Sequence, residues 1–168
     1  LAADGADLLD IGGESTRPGA EEIAVPDEIA RILPAIEAAR GLLPISVDTR
    51  KAAVAQAALA AGAGMVNDVS GFDFDAGLAP LVAGAGVPVC LMHAQGLPAT
   101  MQDDPRYDDV LLDVYDALAA RIDRAVRAGI PADRIVIDPG IGFGKTEAHN
   151  LAILRRISLY HGLGCPIL

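Results

Sequence analysis

Three polar side chains, Asp48, Asn67 and Asp138, each end a short apolar run just before a turn. Two carboxylates and a carboxamide converging in an apolar mouth suit a heterocycle with amino and ring N–H donors, because each carboxylate accepts two parallel hydrogen bonds. For any one Asp the alternative is a cap on the backbone N–H groups of the following turn. Asp138 is held extended by Pro139. Asp68, next to Asn67, points to the other side of a regular strand and is expected to cap. Met92 and His93 close a further run. Met92 suits padding of an aromatic ring or core packing, and His93 is expected to be a hydrogen-bonded packing residue.

Two glycine-rich runs add to these. Gly12-Gly13-Glu14-Ser15-Thr16-Arg17-Pro18-Gly19 combines bare backbone, hydroxyls and one guanidinium, which suits phosphate or carboxylate. The alternative is a plain loop with an exposed Arg17. The run Pro139–Thr146 is not a phosphate loop, which needs Gly where Pro139 stands, nor a dinucleotide fingerprint, which needs Gly at Lys145. Its glycines, Gly142 among them, let backbone approach a flat ligand, and Phe143 can cover a ring face. His149 and His161 carry no partner motif and are expected at the surface.

The elements that must hold these residues alternate along the chain. Strands are expected near 7–11, 44–48, 65–69, 87–92 and 135–138, with a sixth beginning at the last residues. The first is read as buried on both faces. Between them lie helices near 27–40, 52–62, 76–83, 110–128 and 152–157. Pro26 supports the start of the first and Pro34 implies a kink or break in it. Val110, Leu111, Val114, Leu118, Ile122 and Val126 make the fourth the best defined, and Gly129 ends it. The stretch 94–107, with Gly96, Pro98 and Pro105, reads as a surface loop. Strict strand–helix alternation demands a parallel sheet covered by helices, with ligands at the strand carboxyl ends. The fold class is therefore α/β, a TIM (β/α)₈ barrel. A closed barrel takes roughly 250 residues, so the chain reads as an incomplete piece of about six strands.

Composition narrows the partners. The 168 residues are 52% hydrophobic, enough for one domain with a sizeable core. Thirteen Lys and Arg against 23 Asp and Glu leave a net charge of −10, which repels nucleic acid and anionic lipid. Cys90 and Cys165 sit far apart in apolar runs, as buried reduced thiols of a cytoplasmic protein do. No signal peptide or membrane span is apparent.

Taken in order, Asp10–Gly19, Ser46-Val47-Asp48-Thr49, Val66-Asn67-Asp68-Val69, Leu91-Met92-His93 and Asp138–Lys145 resemble the dihydropteroate synthase family over nearly the whole chain. The first and last motifs are highly specific. The resemblance implies one pterin-binding barrel domain over 1–168, truncated at both ends. It implies transfer of the methylene carbon of 6-hydroxymethyl-7,8-dihydropterin diphosphate to 4-aminobenzoate, giving dihydropteroate and diphosphate for folate synthesis. Asp48, Asn67 and Asp138 then bind the pterin, with Met92, Gly142 and Phe143 lining it. Thr16, Arg17 and Pro18 belong to a mobile loop near 4-aminobenzoate and diphosphate. The catalytic contributions fall to Asp48, Asp138 and Arg17.

The family also implies Mg²⁺, held by an Asn of an early strand that does not occur here, and a homodimer. A late Ser-Arg-Lys segment and a final Arg-x-His are likewise missing, so the 168-residue chain is expected to form no dihydropteroate. Two other readings remain at this point. One is a metal-dependent barrel hydrolase built on His93 and Asp138. The other is a non-catalytic or methyl-transferring pterin or folate-binding barrel, against which the Gly12–Gly19 run speaks.

Overall fold

Each of the five strands among the described residues is only four residues long, so a single polar residue at its end decides what it offers at the sheet edge. A computed structural model describes residues 1–17, 19–96 and 100–168. Its strands are β1 (Leu9–Gly12), β2 (Ile45–Asp48), β3 (Met65–Asp68), β4 (Val89–Met92) and β5 (Ile135–Asp138). All pair in parallel, in the order β1-β2-β3-β4-β5. Between them run α1 (Val25–Ala39), α2 (Ala52–Ala61), α3 (Leu78–Ala85), α4 (Val110–Arg127) and, after β5, α5 (Glu147–Arg155). This is the expected α/β alternation.

Alternation along each strand separates two layers. One face carries Ile45, Val47, Val66, Val89, Leu91, Ile135 and Ile137, all buried. They pack with Ile32 and Ile36 of α1, Val54 and Ala58 of α2, Leu78 and Val82 of α3, and Val114 and Leu118 of α4. The other face carries Asp10, Gly12, Ser46, Asp48, Asn67, Cys90, Met92 and Asp138, and is the one a ligand can reach.

Several expectations need correction. β1 is not buried on both faces: Leu9 and Ile11 are half-buried while Asp10 and Gly12 are exposed, because β1 is an outer strand paired only with β2. Pro34 does not break α1, which runs unbroken for 15 residues. What proline removes is one backbone donor, and the apolar stripe of Ile32, Ile36 and Ala39 carries the helix past it. The sixth strand is represented by one bridge, Ile137 to Ile167, with Ile137 N–H donating to Pro166 O at 2.9 Å and Leu168 N–H to Ile137 O at 2.9 Å.

α5 begins five residues early, at Glu147, because Thr146 caps it: Thr146 Oγ1 accepts from His149 N–H and His149 Nδ1 accepts from Thr146 N–H. His149 is thus half-buried, not a plain surface residue, and its ring meets Tyr107 edge-on at 4.9 Å. His161 is exposed. In the 94–107 loop Met101 is buried, and Pro98 lies outside the described residues. α4 ends as expected. Gly129, at φ 98°, donates to Val126 O, and Ile130 donates to Ala125 O, the paired bonds of a Schellman motif.

Candidate functional site

Strand register decides which polar ends share a level. Gly12 pairs with Asp48, Asp48 with Asn67, and Asn67 with Cys90. Cys90 pairs with Val136, and Met92 with Asp138. Asp138 therefore stands two residues, about 6.6 Å, beyond the level of Asp48 and Asn67. Such stagger between neighbouring strands is what barrel closure requires.

Asp48 is the most perturbed of the three acceptors. Its Oδ1 is buried with no hydrogen-bond partner among the described residues. Burial pushes its carboxyl up to about 7, helped by the negative charges of Asp10, Asp68, Glu28 and Glu14. Gly12 leaves it room, since a Cβ there lies 3.2 Å from Asp48 Oδ2. Asn67 donates Nδ2 to Asp10 Oδ2 at 2.9 Å, which turns its carbonyl oxygen away as an acceptor. Asp138 fulfils half of each reading: Oδ1 accepts from Gly140 N–H at 2.7 Å, capping the turn, and leaves Oδ2 for other partners. Burial raises its carboxyl, partly offset by the Gly140 bond and the Lys145 charge. Asp68 faces the opposite layer and accepts from Ser70 N–H, Ser70 Oγ and Phe72 N–H, a cap as expected.

Beside this face lies a cleft of about 130 Å³ whose lining includes Thr16, Arg50, Phe74, Met92, Arg121 and Phe143. It brings together three residues expected from sequence, Thr16, Met92 and Phe143. Asp48, Asn67, Asp138 and Gly142 stand outside its lining. Met92 connects the two regions, being buried and paired laterally with Asp138. Arg17 is exposed on the loop, and Pro18 lies outside the described residues.

Four features here escaped sequence reasoning. Glu14, buried at the root of the Gly12–Gly19 loop, accepts from Lys51 Nζ at 2.6 Å, Arg50 Nε at 3.0 Å and Ile23 N–H at 2.9 Å. Lys51 also binds Glu28 at 2.9 Å, and Thr49 Oγ1 donates to Glu28 at 2.7 Å. Burial works against the Lys51 charge, but the bonds to Glu14 and Glu28 outweigh it and hold Lys51 above its ordinary value. Arg50 also lies 4.0 Å over the Phe74 ring, which fixes one wall of the cleft. Arg121 is buried on α4 and paired with Asp73 at 3.0 Å, and a Cβ at Gly71, whose φ is 60°, would lie 2.1 Å from Arg121 Nε and push the guanidinium aside.

The fourth feature is Lys145. Its buried ammonium faces His93 Nδ1 at 2.9 Å and donates to Gly140 O at 2.9 Å, Phe143 O at 3.1 Å and His93 O at 3.3 Å. Burial, with the nearby Lys145 and Arg121 charges, pushes His93 down to about 3, so its ring is neutral and its Nδ1 accepts. His93 is therefore a packing residue with a bond, and the hydrolase reading loses its histidine to Lys145. No three His, Cys, Asp or Glu side chains among the described residues are grouped to hold a metal ion. The described residues do not by themselves make a Mg²⁺ cage.

The chain has relatives among proteins of known name and structure. It is 43% identical over 166 residues to dihydropteroate synthase of Escherichia coli strain K12, covering 98% of this chain and 58% of that protein. Its fold matches the Yersinia pestis dihydropteroate synthase solved with a sulfonamide drug complex at TM-score 0.94 and 44% identity, over 98% of this chain and 60% of that one. It matches the Xanthomonas albilineans dihydropteroate synthase solved with 4-aminobenzoic acid at TM-score 0.91 and 49% identity, over 99% and 59%. The chain thus spans about three fifths of the length of these TIM-barrel relatives. The model of the pterin binding enzyme family matches residues 1–168 without remainder, and the chain belongs to that family.

Proposed function

We propose that this chain carries the pterin-binding face of a dihydropteroate synthase, which joins 4-aminobenzoate to 6-hydroxymethyl-7,8-dihydropterin diphosphate. The observation that carries the reading is the acceptor set on one sheet face: the buried, unpartnered Oδ1 of Asp48, the carbonyl of Asn67 aimed by Asp10, and the second oxygen of Asp138. These accept from the amino group and ring N–H of a pterin, while Met92, Gly142 and Phe143 line the ring. The loop bearing Thr16, Arg17 and Pro18 serves 4-aminobenzoate and the diphosphate, and 4-aminobenzoic acid is the molecule bound to the Xanthomonas relative.

In the reaction the methylene C–O bond breaks with its electrons leaving on diphosphate. The amine lone pair of 4-aminobenzoate forms the C–N bond, and the nitrogen then loses a proton. As the C–O bond loosens, positive charge spreads into the pterin. The carboxylates of Asp48 and Asp138 stabilise that charge, and Arg17 offsets charge on the leaving diphosphate. No covalent enzyme intermediate is needed, since the work is positional and electrostatic. A cytoplasmic homodimer using Mg²⁺ belongs to the same proposal through the family resemblance, and the free buried cysteines suit a cytoplasmic location.

Calorimetric titration with 6-hydroxymethyl-7,8-dihydropterin diphosphate tests it. Asp138→Asn exchanges a charged acceptor for a carboxamide and is expected to weaken binding by about 2 kcal/mol, roughly thirtyfold. Unchanged affinity overturns the assignment. Tight binding of methyltetrahydrofolate with no response to 4-aminobenzoate transfers it to the methyl-carrying barrels.

A further inference from the structure

We propose that Lys145 is a positioning residue: its ammonium staples the loop after β5 to itself and to the end of β4, and so sets Phe143 and Asp138 in the geometry a bound pterin needs. The role rests on the pterin reading, but the staple does not. Lys145 donates to Gly140 O and Phe143 O, two carbonyls of the loop, and to His93 O, a carbonyl of the neighbouring chain end, while His93 Nδ1 supplies a fourth acceptor. An ammonium has three N–H groups for these four acceptors.

No other side chain among the described residues binds both the carbonyls of this loop and the carbonyl at the end of β4. The loop is pressed hard onto β4 and the segment after it. A Cβ on Gly140 lies 1.9 Å from His93 O, and one on Gly144 lies 2.3 Å from Gln95 O. Three carbonyl oxygens gathered about one point repel one another unless a cation sits between them. Gly140 N–H to Asp138 and Phe143 N–H to Gly140 O are local, Gly142 N–H reaches Asn150 Oδ1, Gln102 Nε2 and Tyr107 OH hold Gly142 O and Gly144 O from the 94–107 stretch, and His93 N–H donates to Asp138 O, but none of these gathers the three carbonyls.

The groups facing Lys145 leave its charge poorly supported. His93 from the end of β4 is neutral, Asp138 of β5 attracts, Arg121 of α4 repels, and Tyr107 and His149 lie beyond the His93 ring. No described carboxylate lies within ion-pair distance of Lys145. Burial accordingly pulls the ammonium down to about 7, with Asp138 opposing. Above that pH the amine keeps two N–H donors for three carbonyls, and the staple loosens.

The test compares the chain with Lys145→Met at pH 6 and pH 8.5. Amide exchange of Gly140, Gly142 and Phe143, corrected for intrinsic rate, is expected at least tenfold faster in the variant at pH 6 and within threefold at pH 8.5. In the unaltered chain it is expected to rise between the two, a reading that needs no variant to fold. The ratio of 6-hydroxymethyl-7,8-dihydropterin affinities is expected to follow: tenfold or more at pH 6, closing to threefold or less at pH 8.5. Asp48 cancels from that ratio, but Asp138, whose carboxyl the Lys145 charge lowers, does not, so the amide-exchange arm decides between the staple and a direct charge effect. Equal exchange at pH 6, or a ratio that does not change with pH, overturns the proposal. Pterin binding absent from both proteins, with the exchange pattern intact, counts against the pterin reading alone.

Discussion

Replacing Asp48 by asparagine should make the chain more stable at pH 8, not less. The Asp48 carboxyl is pushed from 3.8 to about 7, so the folded state holds its proton over about three pH units in which the unfolded state has lost it. The sign follows directly: a raised folded value gives stability that is complete below 3.8 and lost as pH rises through 7. Three units correspond to about 4 kcal/mol at most. Burial is the largest cause, but part of the shift comes from Asp10, which is exposed and screened by salt, so about 2 to 3 kcal/mol is the expected size. The carboxamide keeps the shape and has no charge to bury. Urea midpoints at pH 4, 6 and 8 measure the difference. The Asp48→Asn variant and the unaltered chain should coincide near pH 4, and the variant should lead by about 2 to 3 kcal/mol at pH 8. Subtracting one from the other removes the titration of Asp68, Asp138 and Glu14. A difference that does not vary with pH, or a variant weaker at pH 8, refutes the reasoning. The same substitution should cost pterin affinity, because the burial that strains Asp48 is what makes it a strong acceptor.

Two further outcomes follow from packing. Gly140→Ala places a Cβ 1.9 Å from His93 O at φ 70°, and should cost about 3 kcal/mol or more in urea unfolding; an unchanged midpoint contradicts the close approach. Glu14→Gln leaves Lys51 with Glu28 alone and Arg50 without its main partner, and should cost about 3 kcal/mol at pH 7. Burial opposes the Glu14 charge, but bonds from Lys51, Ile23 and Arg50 hold it below 4.5, so its stabilisation is present above 4.5 and lost as pH falls further. The variant should therefore lose less stability than the unaltered chain between pH 5 and pH 3 on acid titration followed by circular dichroism.

Local pattern carried the strands and most helices because their signals are local: apolar runs of four or five residues, Ala-rich spacing, and Gly129 at a helix end. It also placed Asn67 and Asp68 on opposite faces, since strand alternation needs no tertiary knowledge. The ion network of Glu14, Lys51 and Glu28 was invisible, because its members lie up to 37 positions apart and only the fold joins them. Arg121 was hidden inside the apolar stripe of α4, where the stem of a long side chain occupies a core position while its guanidinium reaches Asp73. Thr146 and His149 did carry a readable sign. A hydroxyl three residues before a side chain with an acceptor is a capping pattern, overlooked because histidine stood in place of Glu or Gln.

Four-residue strands have a consequence for how this chain can vary in length. Asp48 follows Val47, and Asn67 sits between Val66 and Asp68, so losing or gaining one residue inside β2 or β3 exchanges the two faces. In β2 such a slip thrusts Asp48 into the helix layer and Val47 into the mouth; in β3 it sends Asn67 into the helix layer and Val66 and Asp68 into the mouth. Strands this short have no spare length in which to recover their register. Insertions and deletions are tolerable only in the connections, where the Gly12–Gly19 loop and the 94–107 stretch already lie. Descent with altered ligand preference is accordingly confined to substitutions at strand tips and to loops that lengthen or shorten, on a frame whose spacing is frozen.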